Sequence, residues 1–256
     1  MRSAWAAIVV AGMMAAGAAA HAGDGRLYEM RVYYAAEGKL EALHARFRDH
    51  TVALFAKHGM TNVGYFVPAG DNPQRKLVYF LSFPDRAARD AAFKAFGADP
   101  AWEAARSASE KDGKIVDRIE STFLVTTDYS PALAVPESKA PRAFELRTYR
   151  ATPGNLPALN ARFRDHTMKL FAHHGMNNLV YWNVAPGNPQ AETLLVYLLT
   201  HATEDKAKAS FAAFRQDPEW LAARKASEEK AGGSLTEAKD GVVSEFLVPT
   251  DYSPLK

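Results

Sequence analysis

Two imidazoles, each inside the same six-residue stretch, carry the first chemical signal in this chain. Arg46-Phe47-Arg48-Asp49-His50-Thr51 recurs unchanged as Arg162-Phe163-Arg164-Asp165-His166-Thr167, and His-Gly-Met follows each copy at 58–60 and 174–176. Histidine titrates near neutral pH, so His50 and His166 are candidates for acid–base work or for ligating a haem or metal. Arg46 and Arg162 stand one turn earlier, and a guanidinium binds anionic groups through paired hydrogen bonds. Glu29-x-Arg31-x-Tyr33, repeated as Glu145-x-Arg147-x-Tyr149, brings a carboxylate, a cation and a phenol to one face of a strand. Tyr65 and Tyr181 add a further phenol to each copy, able to orient an oxygen-bearing ligand.

Each of these residues also has a structural reading. His50 lies between Phe47 and Leu54 on the apolar stripe of a helix, which aims it toward the sheet. A buried imidazole bonded to backbone or carboxylate serves packing there. Glu29 and Arg31 neutralise each other inside a barrel as readily as they bind an anion, and Tyr65 and Tyr181 line one. Arg48 and Asp49 fall on the opposite face yet survive in both copies, while the later helix changes from Arg86-Ala87-Ala88-Arg89 to Lys206-Ala207-Lys208-Ala209. An interdomain salt bridge accounts for that retention as well as a binding site does. His58 and His174 suit the negative end of a helix. No HExxH, phosphate-binding glycine loop, GxSxG or cysteine is present, which removes most hydrolase and nucleotide chemistry. A bare catalytic zinc centre lacks its third protein ligand.

The elements that must position these groups follow from periodicity. Alternation over Leu27–Tyr33 predicts a strand with Tyr28, Met30 and Val32 on one side and Glu29, Arg31 and Tyr33 on the other. Leu40, Leu43, Phe47 and Leu54 predict one helix from about 37 to 58, ended by Gly59. Strands are expected at 62–67 and 76–83, then a helical region from Asp85 that breaks at Gly97 and restarts at Asp99-Pro100, then a strand over 115–125. The second copy repeats the order, with strands at 178–184, 193–200 and 242–248. Each half therefore reads βαββαβ, the ferredoxin-like order. The expected architecture is α+β: two such repeats, 23–129 and 143–256, joined by a proline-containing linker at 130–142. They face each other as an intramolecular version of a dimeric α+β barrel, with the polar strand faces and the imidazoles turned inward.

Residues 1–22 read as a signal peptide. Arg2, an apolar run from Ala4 to Ala20 and Ala20-His21-Ala22 predict cleavage after Ala22 and a periplasmic or secreted product. A retained anchor is the competing reading, against which the run falls short of the ~20 residues a span needs. With 31 Lys+Arg against 29 Asp+Glu, one of the basic residues being Arg2, the chain is nearly neutral and does not suit a nucleic-acid partner. No membrane association is expected after cleavage, and self-association of whole chains stays open.

The repeated set Glu-x-Arg-x-Tyr, Arg-Phe-Arg-Asp-His-Thr, His-Gly-Met and Asp-Pro-x-Trp resembles the NIPSNAP family over nearly the whole chain after residue 22. The resemblance implies a module of the dimeric α+β barrel class, whose wider relatives include small monooxygenases, isomerases and haem-binding proteins. It does not imply one reaction. Three functions stay open: binding of a small flat or carbonyl-bearing molecule beside the repeated helix, an enzyme of the barrel type acting without a cofactor or through haem, and a structural module without a ligand.

Overall fold

The computed structural model describes residues 23–133 and 142–256. The expected signal segment, 1–22, and residues 134–141 of the expected linker lie outside the described residues. Strand β1 (Leu27–Ala35) is followed by α1 (Leu40–Arg46), α2 (Val52–Lys57), β2 (Thr61–Pro68), β3 (Lys76–Phe83), α3 (Arg86–Gly97), α4 (Pro100–Ser109) and β4 (Val116–Thr126). The second half repeats the series as β5 (Ala143–Arg150), α5 (Leu156–Arg162), α6 (Met168–His173), β6 (Asn177–Val184), β7 (Leu194–His201), α7 (Glu204–Gln216), α8 (Pro218–Ala231) and β8 (Val242–Pro249). The eight strands close into one barrel in the order β1-β3-β2-β8-β5-β7-β6-β4. The halves meet at two short antiparallel seams, Phe66–Pro68 of β2 on β8 and Leu124–Thr126 of β4 on β6.

The predicted single helix is interrupted. Between α1 and α2, Phe47–Thr51 forms a π-helical turn, and Phe163–Thr167 does the same between α5 and α6. Val52 N–H donates to Phe47 O, five residues back, and the Thr51 hydroxyl donates to Arg46 O at 3.1 Å. Thr167 repeats that bond to Arg162 O at 3.1 Å. One extra residue in the turn rotates everything after it by about 100°. The buried series therefore runs Leu43, Phe47, Thr51, Phe55, whereas a regular helix would bury Phe47, His50 and Leu54. The expectation that His50 and His166 face the sheet is corrected: both are exposed on the outer side of the helix. Deleting His50 should restore a regular helix with Phe47, Thr51 and Phe55 still on one face. We expect a folded protein that has lost about 1–2 kcal/mol by urea titration, whereas an unfolded variant would show that the turn is not a removable insertion.

The strand faces are also the reverse of the expectation. Tyr28 joins Phe66, Phe80, Phe144, Leu146, Trp182, Leu198 and Leu247 in one cluster drawn from both halves, which fills the barrel interior. The polar face of β1 and β5 points outward, against the helices. Two further clusters lie there, one per half, with Phe47, Phe55, Tyr65 and Tyr79 in the first and Phe163, Phe171, Tyr181 and Tyr197 in the second. Tyr65 and Tyr181 thus lie under the helices rather than lining the barrel. The physical reason is area: the apolar side chains of eight strands pack best against one another, while the polar face finds its hydrogen-bonding partners on adjacent strands, with Arg89 of α3 added in the first half.

Candidate functional site

On the outer face of β1, Glu29 is fully buried and accepts from Arg31, from Arg89 Nε and Nη2 at 2.7 and 2.8 Å, and from Ser121 at 2.6 Å. Arg31 Nε donates to Tyr79 Oη at 2.9 Å and Nη2 to Tyr33 Oη at 3.4 Å. The second half rebuilds the cluster with one substitution. Glu145 accepts from Arg147 and Ser244, but its third donor is His201 Nε2 at 2.9 Å. Arg147 reaches Tyr197 Oη at 2.9 Å and Tyr149 Oη at 3.2 Å. His201 pairs with Ala143 where Phe83 pairs with Leu27, so it stands in the place of a phenylalanine. Its Nε2 faces a carboxylate and must carry a proton, while buried Nδ1 has no partner among the described residues. No sequence argument singled out Arg89 or His201, which come from different elements in the two halves.

Burial pushes the Glu29 carboxyl up, but the Arg89 hydrogen bond, the Arg31 charge and Ser121 outweigh it and hold the group below its ordinary value. Glu145 is held low in the same way by His201, Arg147 and Ser244. Asp99 and Asp217, the N-caps of α4 and α8, are also lowered, Asp99 by Lys57 and His58 and Asp217 by His174. Depressed carboxylates contribute stability that is complete above their unfolded values near 4 and is lost as pH falls through the lower folded ones. The melting temperature should therefore hold from neutral pH to about 5 and fall steeply below about 4. A melting temperature that declined between pH 7 and 5 would show another group in control.

Arg46 and Arg162 close α1 and α5 just before the π turns, and both are buried beneath a tryptophan, with the guanidinium carbon 5.2 Å from the ring centres of Trp102 and Trp220. Their environments differ. Arg46 Nη1 donates to Glu110 at 2.9 Å and to Ser109 at 3.3 Å, whereas Arg162 Nη1 reaches Glu228 and Ser227 only at 3.4 Å each. Burial pushes the Arg162 guanidinium down, because Glu228 compensates it incompletely. Arg162 also borders two concavities. One, of about 310 Å³, lies between the second half's sheet and helices and is lined by Arg147, Tyr149, Phe163, Phe211, Trp220 and Arg224 among others. The other is a surface groove of about 390 Å³ between α5 and α8, where Asp165 and His166 sit.

The remaining candidates have their partners within the fold. His58 and His174 do not act chiefly on their own helix end: each imidazole Nε2 lies 2.7 Å from the N-cap aspartate, Asp99 or Asp217, of a neighbouring helix. Gly59 and Gly175 do end their helices at φ 77° and 76°. Arg48 and Arg164 form the interdomain salt bridges that their retention suggested. Arg48 bonds Asp251 at 2.6 and 3.0 Å, and Arg164 bonds Asp128 at 2.9 and 2.6 Å. Each partner belongs to the Thr-Asp-Tyr-Ser-Pro tail of the opposite half, so the tails are exchanged latches. Tyr252 packs on Phe47 and Tyr65, and Tyr129 packs on Tyr181. A haem inside the barrel does not fit these residues, since Phe66, Phe80, Phe144 and Trp182 occupy that space and the motif imidazoles lie outside it. The lining of the 310 Å³ cleft holds no histidine. Among the described residues, no group of three or more His, Cys, Asp or Glu is placed to hold a metal.

Comparison with known proteins agrees with this architecture. The NIPSNAP family profile matches residues 28–131 and again 144–254. No curated protein matches at a significant level. Among solved structures, an uncharacterized NIPSNAP domain protein from Burkholderia xenovorans is 23% identical and aligns over 41% of this chain and 99% of its own, with a TM-score of 0.36. A proposed monooxygenase from Lactobacillus acidophilus is 12% identical over 88% of this chain and 94% of its own, with a TM-score of 0.52. A chlorite dismutase variant from Candidatus Nitrospira defluvii is 8% identical over 88% and 91%, with a TM-score of 0.50. At such identities the last two share the α+β fold and nothing finer.

Proposed function

We propose that this chain, which belongs to the NIPSNAP family, binds a small flat or carbonyl-bearing molecule in the cleft between the sheet and the helices of its second half. The observation that carries this reading is Arg162, a buried guanidinium that borders a cleft of about 310 Å³ and whose Nε, like that of Arg46, has no partner among the described residues. That volume suits a small ligand, and an apolar wall with a few convergent polar groups is the usual composition of such sites. Catalysis by a motif imidazole is not part of the proposal, because neither His50 nor His166 borders this cleft. The two βαββαβ halves are read as ferredoxin-like repeats that do in one chain what two subunits do in a dimer. Export with cleavage after Ala22 belongs to the same proposal and is tested by N-terminal mass analysis of the product. Trp220 lines the cleft, so its fluorescence should respond to small carbonyl-bearing aromatics. Trp220→Phe should remove that response, and Val242→Trp, at the exposed rim, should block it. A response that survives both substitutions would place the ligand elsewhere.

A further inference from the structure

The two halves share their fold but not the charge around the buried arginine. In the first half Arg106 is held by Glu103 at 2.9 and 3.1 Å, which leaves Glu110 to Arg46. Position 103 of α4 corresponds in α8 to Leu221, counting from Trp102 and Trp220. Arg224, having lost that carboxylate, turns its Nε to Glu228 at 3.1 Å and draws it from Arg162. Glycine 97, at the end of α3, is replaced by Arg215, which borders the cleft. Since Arg147 is neutralised by Glu145, the cleft faces Arg162, Arg215 and Arg224 with Glu228 as their one lining carboxylate. The rest of the lining is rich in rings, Phe163, Phe171, Phe211, Phe214 and Trp220, and the Trp220 ring lies against Arg162 itself.

We infer that the occupant of this cleft is an aryl carboxylate, that Arg162 binds its anionic head in place of Glu228, and that the second half alone provides the site. The inference rests on the proposed cleft reading and adds the ligand's charge class and the half that takes it. A carboxylate supplies Arg162 with the compensation that Glu228, shared with Arg224, gives only at 3.4 Å. Its aromatic body then stacks among rings that already bound the space. Glu228 is partly exposed and keeps its bond to Arg224 when it yields, so the exchange leaves it paired.

The test is titration of the full-length protein with benzoate, phenylacetate and the neutral analogue benzamide, followed by calorimetry and by Trp220 fluorescence. Benzoate or phenylacetate should bind at least about tenfold tighter than benzamide, and Arg162→Gln should remove that difference. Glu228→Gln removes the competing carboxylate and should tighten benzoate binding several-fold, a gain that a poorly folded variant would not show. Arg46→Gln, which disturbs the equivalent pair in the first half, should leave benzoate affinity unchanged. Equal binding of benzamide and benzoate, with Val242→Trp blocking both, would overturn the anion assignment while the cleft reading stood. Binding of none of the three would overturn both. Equal losses in Arg46→Gln and Arg162→Gln would overturn the assignment to the second half.

Discussion

Glu29→Gln is expected to cost about 3–5 kcal/mol of folding stability, and the matching Glu145→Gln about 1–2 kcal/mol. Glu29 is fully buried, and all of its partners are donors: Arg31, Arg89 and Ser121. A glutamine keeps the volume but removes the charge that two largely buried guanidiniums share, and its NH2 meets donors on every side. At Glu145 there is one guanidinium, Arg147, and the third partner is His201. Imidazole can present a bare Nε2 to an amide N–H by moving its proton to Nδ1, at the cost of a buried N–H with no partner among the described residues, so the second cluster can adapt in part where the first cannot. Urea unfolding of the two variants followed by far-UV circular dichroism measures the difference. Equal losses would mean that His201 behaves as a fixed donor like Arg89, and the asymmetry argued for the two halves would be gone.

How much of this was legible in the sequence depended on which face or element a residue came from. The duplication, the eight strands and the N-caps Asp99 and Asp217 are local signals, and the observed boundaries fall within two residues of the expected ones for most strands. Alternation separated Glu29, Arg31 and Tyr33 from Tyr28, Met30 and Val32, but it could not say which set faces the barrel. Both faces of β1 are buried, Tyr28 at 3% exposure and Glu29 at 0%, so burial pattern alone carries no direction. The π turn was invisible because both copies contain it. A shared insertion leaves no gap between repeats, and a stripe through Phe47 and Leu54 fits a regular helix almost as well as one through Phe47, Thr51 and Phe55. Arg89 and His201 were missed for the opposite reason. They perform one task from different elements, and a search for residues retained in both halves passes over a pair that has been exchanged. The same holds for Leu221 against Glu103 and Arg215 against Gly97, which is why the candidate ligand site shows itself by difference between the copies.

The barrel interior should be the strongest determinant of the chain's integrity, and Trp182 is its most informative residue. Its ring is fully buried, stacks on Phe80 at 5.2 Å and lies 5.5 Å from Tyr28, both of which belong to the other half. Trp182→Ala should cost about 4–5 kcal/mol, combining lost burial with a cavity that β-strands closed into a barrel cannot collapse to fill. Trp182→Phe should behave differently. The indole N–H is buried with no partner among the described residues, so the smaller ring loses contact area but also removes a donor whose desolvation costs about 1–3 kcal/mol. The net change should stay within about 1 kcal/mol. The seams contribute only three register pairs each, too few to couple the halves by backbone hydrogen bonds alone. The rings that cross the interior and the exchanged tails, with Arg48–Asp251, Arg164–Asp128 and the packing of Tyr252 and Tyr129, supply the rest of the coupling. Both variants should therefore still unfold in one transition by circular dichroism and by fluorescence. Two separate transitions in Trp182→Ala would mean that this one side chain had held together two domains otherwise able to stand apart.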